Sequence, residues 1–302
     1  MHKIAKDVGT AALVVLGILV VLVVAAWWRV ASEGNRAVRE ARADPHRIAG
    51  NLYFVGTPDV TSFLLAGPDG NVLIGGGATS YKVIDNIKQL GFPIKDVRIL
   101  LASEPHPEEA GELADLQKAT GAELWASHDN ADVIARGGKD DPSTVYTPHK
   151  LLMWAGAMGY SAPRVDHRFD DGETIRLGPL AITAHITPGH APGCTTWTFT
   201  VRDRDRDVHV VHRCSLTVPF GLDRSSLDRY PGFRADFEWS FRTLRSLPVD
   251  IWLTSRGIEY GRYRKYQESL KADDPVAPFI DRENYFKSID DAEQKVRTLL
   301  AR

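Results

Sequence analysis

The chain has 302 residues, a formal net charge of −2, and 43% hydrophobic against 25% charged residues. That is the composition of an ordinary globular protein, with enough apolar material for one large domain or two small ones. The near balance of charge excludes the basic footprint of a nucleic-acid binder, so no nucleic-acid partner is expected.

Residues 1–7 form a short flank carrying Lys3 and Lys6. The run from Val8 to Trp28 has no charge and is rich in Leu, Val and Ala. It is long enough to cross a hydrocarbon core of ~30 Å. Trp27 and Trp28 close it, where indoles favour the membrane interface. A transmembrane anchor over 8–28 is expected. The rival is a cleaved signal peptide, for which Val24-Ala25-Ala26 would be the cleavage site, but no polar region separates it from the apolar core. Residues 29–47 read as a charged, helical stalk. Counting Lys and Arg alone would keep the C-terminal side in the cytoplasm.

A domain over 48–302 follows. Leu52-Tyr53-Phe54-Val55, Ser62-Phe63-Leu64-Leu65 and Val72-Leu73-Ile74 read as strands, the last two joined by the turn Gly67-Pro68-Asp69-Gly70. Val83, Ile84, Ile87 and Leu90 have helical spacing. A strand is expected from Val97 to Leu101, then a helix through Leu113 and Leu116 ending at Gly121. Leu124-Trp125-Ala126 is a short strand and Asn130 to Arg136 a helix. Gly137 to Pro163 has no clear period; Trp154 and Tyr160 lie in it, as groove liners or as core filling. Strand signals resume at Thr174 to Arg176, Ala181 to Ile186, Thr195 to Val201 and Val208 to Val211. The charged run Arg202 to Asp207 reads as a solvated hairpin tip. Phe233 to Leu247 is a helix, Ile251-Trp252-Leu253 a strand, and Lys287 to Leu300 a C-terminal helix. Two strand-rich stretches, each followed by helices, suit an α/β protein with two sheets face to face and helices outside.

Cys194 and Cys214 lie in or beside predicted strands and are not spaced as a zinc knuckle. Two buried thiols are the expected state. A bridge requires the strands to be neighbours and the domain to be exported.

The chemistry concentrates in Ser103-Glu104-Pro105-His106-Pro107-Glu108-Glu109-Ala110-Gly111. Alternation in an extended loop sends Glu104, His106 and Glu108 to one side. Glu109 opens the following helix, at the positive end of its dipole. Pro105 and Pro107 keep the loop out of both flanking elements. Imidazole and carboxylate together are the material of a metal site. A second signal is Thr187-Pro188-Gly189-His190. With His190 as third ligand, Glu104, His106 and His190 make a set found at catalytic zinc with an open position. His128, His149, His167, His185, His209 and His212 are expected to be packing or surface residues.

The region from Ile48 to about Gly261 resembles the metallo-β-lactamase fold, and in detail the third subclass of metallo-β-lactamases. The runs that carry this are Asn51-Leu52-Tyr53-Phe54-Val55-Gly56-Thr57, Gly76-Gly77, Ala119-Thr120-Gly121-Ala122, Asp171-Gly172-Glu173, Thr183 to His190, Gly193-Cys194-Thr195-Thr196-Trp197, Cys214 to Pro219 and Tyr230-Pro231-Gly232. The resemblance implies a four-layer αβ/βα sandwich and a hydrolase of small molecules. That family binds two zinc ions through a His-x-His-x-Asp-His loop, the turn His and a late His. Here the loop reads Glu104-x-His106-x-Glu108-Glu109, the late His is Arg256, and Gly75 stands where the family usually has an Asp. The expected cofactor is therefore one divalent metal, zinc, with manganese or iron as alternatives. Glu104, His106 and His190 would hold it, with Glu108 and Glu109 as further candidates. Arg256, which cannot ligate a cation, would replace the charge of the second metal by pairing with one or both of these carboxylates. Glu108 would be the general base, and Ser215 and Thr217 would meet a substrate carboxylate. The expected function is membrane-anchored hydrolysis of an amide, lactam or ester; the alternative is a catalytically impaired binding protein of the same fold. Following the resemblance to exported enzymes, the chain is placed in the inner membrane with its domain on the periplasmic side.

Overall fold

A computed structural model describes residues 43–143, 159–219 and 222–301. The expected anchor and residues 29–42 of the stalk lie outside the described residues. No helix among the described residues is long and apolar enough to cross a membrane.

The first sheet has seven strands in sequence order. β1 (His46–Ala49), β2 (Leu52–Phe54), β3 (Phe63–Leu65) and β4 (Asn71–Ile74) form an antiparallel meander. β5 (Val97–Leu101), β6 (Glu123–Ser127) and β7 (His167–Phe169) continue it in parallel. Parallel neighbours need crossovers. The helices α1 (Ser80–Gln89), α2 (Pro107–Ala110), α3 (Leu113–Thr120) and α4 (His128–Ala135) lie in these connections. The second sheet runs β12-β11-β10-β9-β8. Its members are β8 (Thr174–Leu177), β9 (Leu180–Ile186), β10 (Thr195–Asp203), β11 (Arg206–His212) and β12 (Ile251–Leu253).

The apolar runs of the first sheet divide by side-chain parity between two cores. Leu64, Leu73 and Leu100 join Val83, Ile87, Leu113 and Leu116 of α1 and α3. Phe63, Leu65, Val72, Ile74, Ile99 and Leu101 point the other way, into the core shared with Trp197, Phe199, Val208 and Val210 of the second sheet. A strand buried on both faces reads as a continuous hydrophobic run, which explains the sequence pattern. On the outer face of the second sheet, Trp252 meets Tyr285 with ring centroids 6.2 Å apart. Tyr285 belongs to α7 (Arg282–Ala301), which packs on α5 (Phe233–Ser246) and donates its hydroxyl to the Leu244 carbonyl at 2.9 Å. Phe233, Phe237, Phe241 and Leu244 form the buried stripe of α5. The result is the expected sandwich of helices, two sheets and helices.

Several expectations need correction. The end of the stalk is strand, not helix: His46 pairs with Phe54 in β1–β2, so the domain starts slightly earlier. β7 and α6 (Arg262–Ser269) had no sequence assignment, because each is short and polar. The C-terminal helix begins at Arg282, a turn earlier than expected, because Tyr285 is buried. The β10–β11 hairpin tip is not wholly solvated: Asp203 is buried, and its Oδ1 accepts from Arg47 Nη1 and the Gly50 amide, each at 2.9 Å. That contact docks the β1–β2 hairpin on the second sheet. Cys194 and Cys214 are a disulfide rather than two thiols. The pairing of Trp197 with His212 in β10–β11 brings the flanking cysteines opposite each other, with Cα atoms 5.9 Å apart.

Candidate metal centre

The chain beyond β5 crosses from one sheet to the other. The Ala102 amide donates to the Trp125 carbonyl on β6, and the Thr195 amide on β10 donates to the Ser103 carbonyl. Trp197 Nε1 fixes the Ser103 hydroxyl at 3.1 Å. These bonds carry Glu104 into the space between the sheets, where it is 2% exposed. Pro105 follows, its carbonyl accepting the Tyr160 hydroxyl at 2.7 Å. His106 has extended backbone and caps α2, which Pro107 starts.

His190 comes from the turn between β9 and β10. The Thr187 amide closes that turn on the Cys194 carbonyl at 2.7 Å. Gly189 has φ of 131°, and a Cβ there would lie 2.8 Å from the Phe237 ring. Only glycine lets the turn press so closely on α5.

The two histidines converge on Glu104. His190 Nε2 lies 3.2 Å and His106 Nδ1 3.6 Å from Glu104 Oε2. The imidazole centroids are 4.6 Å apart. The outer nitrogens are both committed. His190 Nδ1 faces the Thr217 carbonyl at 2.9 Å, which can only accept, so this nitrogen carries the proton. Thr217 Oγ1 is 3.0 Å from the same nitrogen, and the Ser215 hydroxyl is 2.9 Å from Thr217 Oγ1. His106 Nε2 faces Asp141 Oδ2 and Ser143 Oγ, each at 3.1 Å. The inner nitrogens and the carboxylate therefore turn acceptor atoms toward one another. Such a cluster calls for a cation between them. Three ligand atoms within 4.8 Å of each other suit a divalent metal, and the donor set is that of zinc.

Without a cation, a proton takes its place between the inner nitrogen of His106 and Glu104. Burial works against the charge on Glu104, but His190 and His106 outweigh it and hold the carboxyl below its ordinary range. Burial also works against a charged His106, yet Asp141 and Glu104 overcome it and hold the imidazole well above its usual value. For His190 burial prevails and the shift is downward. The disulfide lies beside the centre, with both sulfurs 3.8 Å from Glu104 Oε2.

Glu108 and Glu109 stand apart from this trio. The alternation expected through Glu108 stops at His106, because α2 begins at Pro107. Glu108 Oε1 instead accepts from Arg256 Nη2 at 2.9 Å, and Arg256 Nη1 reaches Asp59 Oδ2 at 2.8 Å. Glu109 is buried, and its Oε2 lies 3.3 Å from where a Cβ on Gly75 would be. Its carboxylate thus fills the hollow beside Gly75 and makes no hydrogen bond to Arg256. Neither Glu109 oxygen has a hydrogen-bond partner among the described residues. Burial, then the charge of Glu104, push this carboxyl well above its ordinary range.

Asp141, Ser143 and Asp59 were not found from the sequence. Each sits in an aperiodic turn; the only local sign is Asp141-Pro142, a turn-initiating pair. Tyr160 supports the metal loop rather than lining a groove, and Trp154 lies outside the described residues. Of the histidines set aside, His212 is buried against Phe63, while His128 and His167 make surface contacts with Asp170 and Glu123.

Comparison with known proteins places this geometry. The Metallo-beta-lactamase superfamily matches residues 55–203. The native FEZ-1 metallo-beta-lactamase from Legionella gormanii is 32% identical, with 86% of this chain and 96% of that one covered and a TM-score of 0.79. The metallo-beta-lactamase GOB-18 from Elizabethkingia meningoseptica is 29% identical, with 87% and 94% covered and a TM-score of 0.78. LRA-12, titled a class B3 di-zinc metallo-beta-lactamase from an Alaskan soil metagenome, is 28% identical, with 87% and 97% covered and a TM-score of 0.78. A protein described as a probable metallo-hydrolase from Burkholderia pseudomallei (strain 1710b) is 33% identical over 88 residues, 29% of this chain and 28% of its own length. On its sequence match, its fold and its coverage of solved relatives, the chain belongs to the metallo-beta-lactamase superfamily.

Proposed function

We propose that this protein hydrolyses an amide, lactam or ester bond in a small molecule, using one divalent metal ion, zinc in the first instance. The observation that carries this is the convergence of Glu104 Oε2, His106 Nδ1 and His190 Nε2, with the outer nitrogen of each histidine already engaged. An ion held there supplies Lewis-acid polarisation of the scissile carbonyl and acidifies water. Glu108 is the general base: Arg256 fixes its Oε1, which leaves Oε2 to orient water and take its proton. Arg256 takes the place of a second cation, neutralising Glu108 and Asp59. Ser215 and Thr217 stand at the exposed rim and meet a substrate carboxylate by exchanging their mutual hydrogen bond. The solved relatives are titled metallo-beta-lactamases, which puts a lactam first among the substrates to try.

The apolar segment 8–28 serves as a membrane anchor in this proposal, with the domain on the periplasmic side of the inner membrane. The Cys194–Cys214 disulfide supports an oxidising compartment.

The test is zinc titration with elemental analysis, followed by lactam and ester turnover by the wild type and by Glu108→Ala and His190→Ala. One equivalent of metal and loss of turnover in both variants are expected. Two tightly bound ions per chain would overturn the single-metal assignment. Turnover unaffected by either substitution would overturn the hydrolase. The tie between Glu108 and Arg256 favours one other function, binding without catalysis, and metal uptake with no turnover of either substrate would establish it.

A further inference from the structure

We infer that Asp141, clamped by Ser143, is a positioning residue that selects which nitrogen of His106 faces the metal, an inference that rests on the metal assignment of the site. Asp141 is 6% exposed, which is unusual for a carboxylate outside the ligand set. Its position is fixed locally. The Ser143 amide donates to Oδ1 at 2.9 Å, and the Ser143 hydroxyl lies 2.7 Å from Oδ1 and 2.8 Å from Oδ2.

The proton count then decides the tautomer. The Ser143 hydroxyl has one proton, and the Asp141 carboxylate takes it. The Ser143 oxygen can only accept from His106 Nε2, as can Asp141 Oδ2. Two acceptors at 3.1 Å require a proton on Nε2. Nδ1 is thereby the nitrogen with the lone pair, and it points at Glu104. A neutral imidazole with the opposite tautomer would set its lone pair against the carboxylate. Asp141 also makes the imidazole a stronger donor to a cation, as a carboxylate behind a ligating histidine does. The same stretch holds the loop at a second point, through Tyr160 on the Pro105 carbonyl. That contact sets the backbone, whereas Asp141 sets the ring.

The experiment measures zinc affinity by competition with a chelating dye in wild type, Asp141→Asn, Asp141→Ala and His106→Ala, with Asp141→Asn/His106→Ala closing the cycle. Outer partners of ligating histidines are worth roughly 10- to 100-fold in affinity. We expect about 10-fold weaker binding for the isosteric Asn, which keeps an acceptor, and about 100-fold for Ala. In the His106→Ala background the Asn substitution should have no further effect. In the zinc-loaded wild type, the Nε2 proton of His106 should appear in ¹H–¹⁵N spectra as a downfield, slowly exchanging resonance and move upfield in Asp141→Asn. Asp141→Asn also keeps the comparison open if Asp141→Ala does not fold. Wild-type affinity in Asp141→Asn, or an equal loss with His106 already removed, overturns the role of Asp141. Failure of the wild type to bind zinc overturns the metal assignment itself, a separate outcome.

Discussion

Arg256 holds two carboxylates with one guanidinium, and the three side chains are all about a third exposed: 38% for Arg256, 34% for Glu108 and 39% for Asp59. Ion pairs so open to water contribute only about 0–1 kcal/mol to stability. In the single-metal proposal the guanidinium acts by excluding a second cation rather than by stabilising the fold. Glu108 and Asp59 without Arg256 would be two anions stripped of their shared counter-ion. Arg256→Ala is expected to lower the unfolding free energy by under ~1 kcal/mol. The same variant should take up a second divalent ion in calorimetric titration. A single equivalent in both proteins would mean that the guanidinium is not what keeps the second ion out.

The element that matters most for His190 is the β10–β11 hairpin. Cys194 precedes β10 and leads back to the His190 turn; Cys214 follows β11 and leads to Ser215 and Thr217, the partners of His190 Nδ1. The disulfide thus fastens the His190 turn to the strand end whose Thr217 orients the imidazole. It closes a loop of 20 residues, for which chain entropy gives about 3 kcal/mol. Cys194→Ser/Cys214→Ser should lose roughly that much in a urea unfolding curve and should bind zinc more weakly. Unchanged values would mean that strand pairing alone keeps the register. The sequence carries these elements unevenly. In the first sheet β3 and β4 were legible because both faces are buried, whereas β1 and β7, short and partly exposed, were not. The convergence of Glu104, His106 and His190 was legible because imidazole and carboxylate next to prolines and glycines in turns have few structural uses. The disulfide was not, since pairing depends on which strands become neighbours. Asp141 was not, since a single Asp in an aperiodic turn looks like any solvated loop residue until the ring of His106 is set against it. Glu109 reads in the sequence as a further ligand candidate, and only the missing side chain at Gly75, on the neighbouring connection, shows where its carboxylate goes.

At the scale of the whole molecule, two buried histidines tie stability to pH. His46, on β1, stacks on Tyr266 of α6 with centroids 4.1 Å apart and on Phe54 at 5.2 Å. His212, at the end of β11, meets Phe63 of the other sheet at 5.5 Å. Burial lowers His46 to about 4, with the Asp44 carbonyl working against it and the charge of Arg262 adding to it. Burial and then Arg213 lower His212 to about 3. In the unfolded chain both titrate near 6.5. Below that pH the unfolded state binds protons that the folded state refuses, so stability falls as pH falls, from about 6.5 down to the folded values. For His46 alone, the drop is on the order of 3 kcal/mol between neutrality and its folded value. That is a large part of the 5–15 kcal/mol typical of a folded domain. Urea midpoints should therefore decline steeply between pH 7 and pH 4.5. His46→Phe keeps the aromatic stack and removes the proton site, so its decline should be shallower by roughly 2–3 kcal/mol while the His212 share persists. Parallel slopes in the two proteins would place the acid sensitivity elsewhere, and the metal ligands, measured with and without zinc, would be the next groups to substitute.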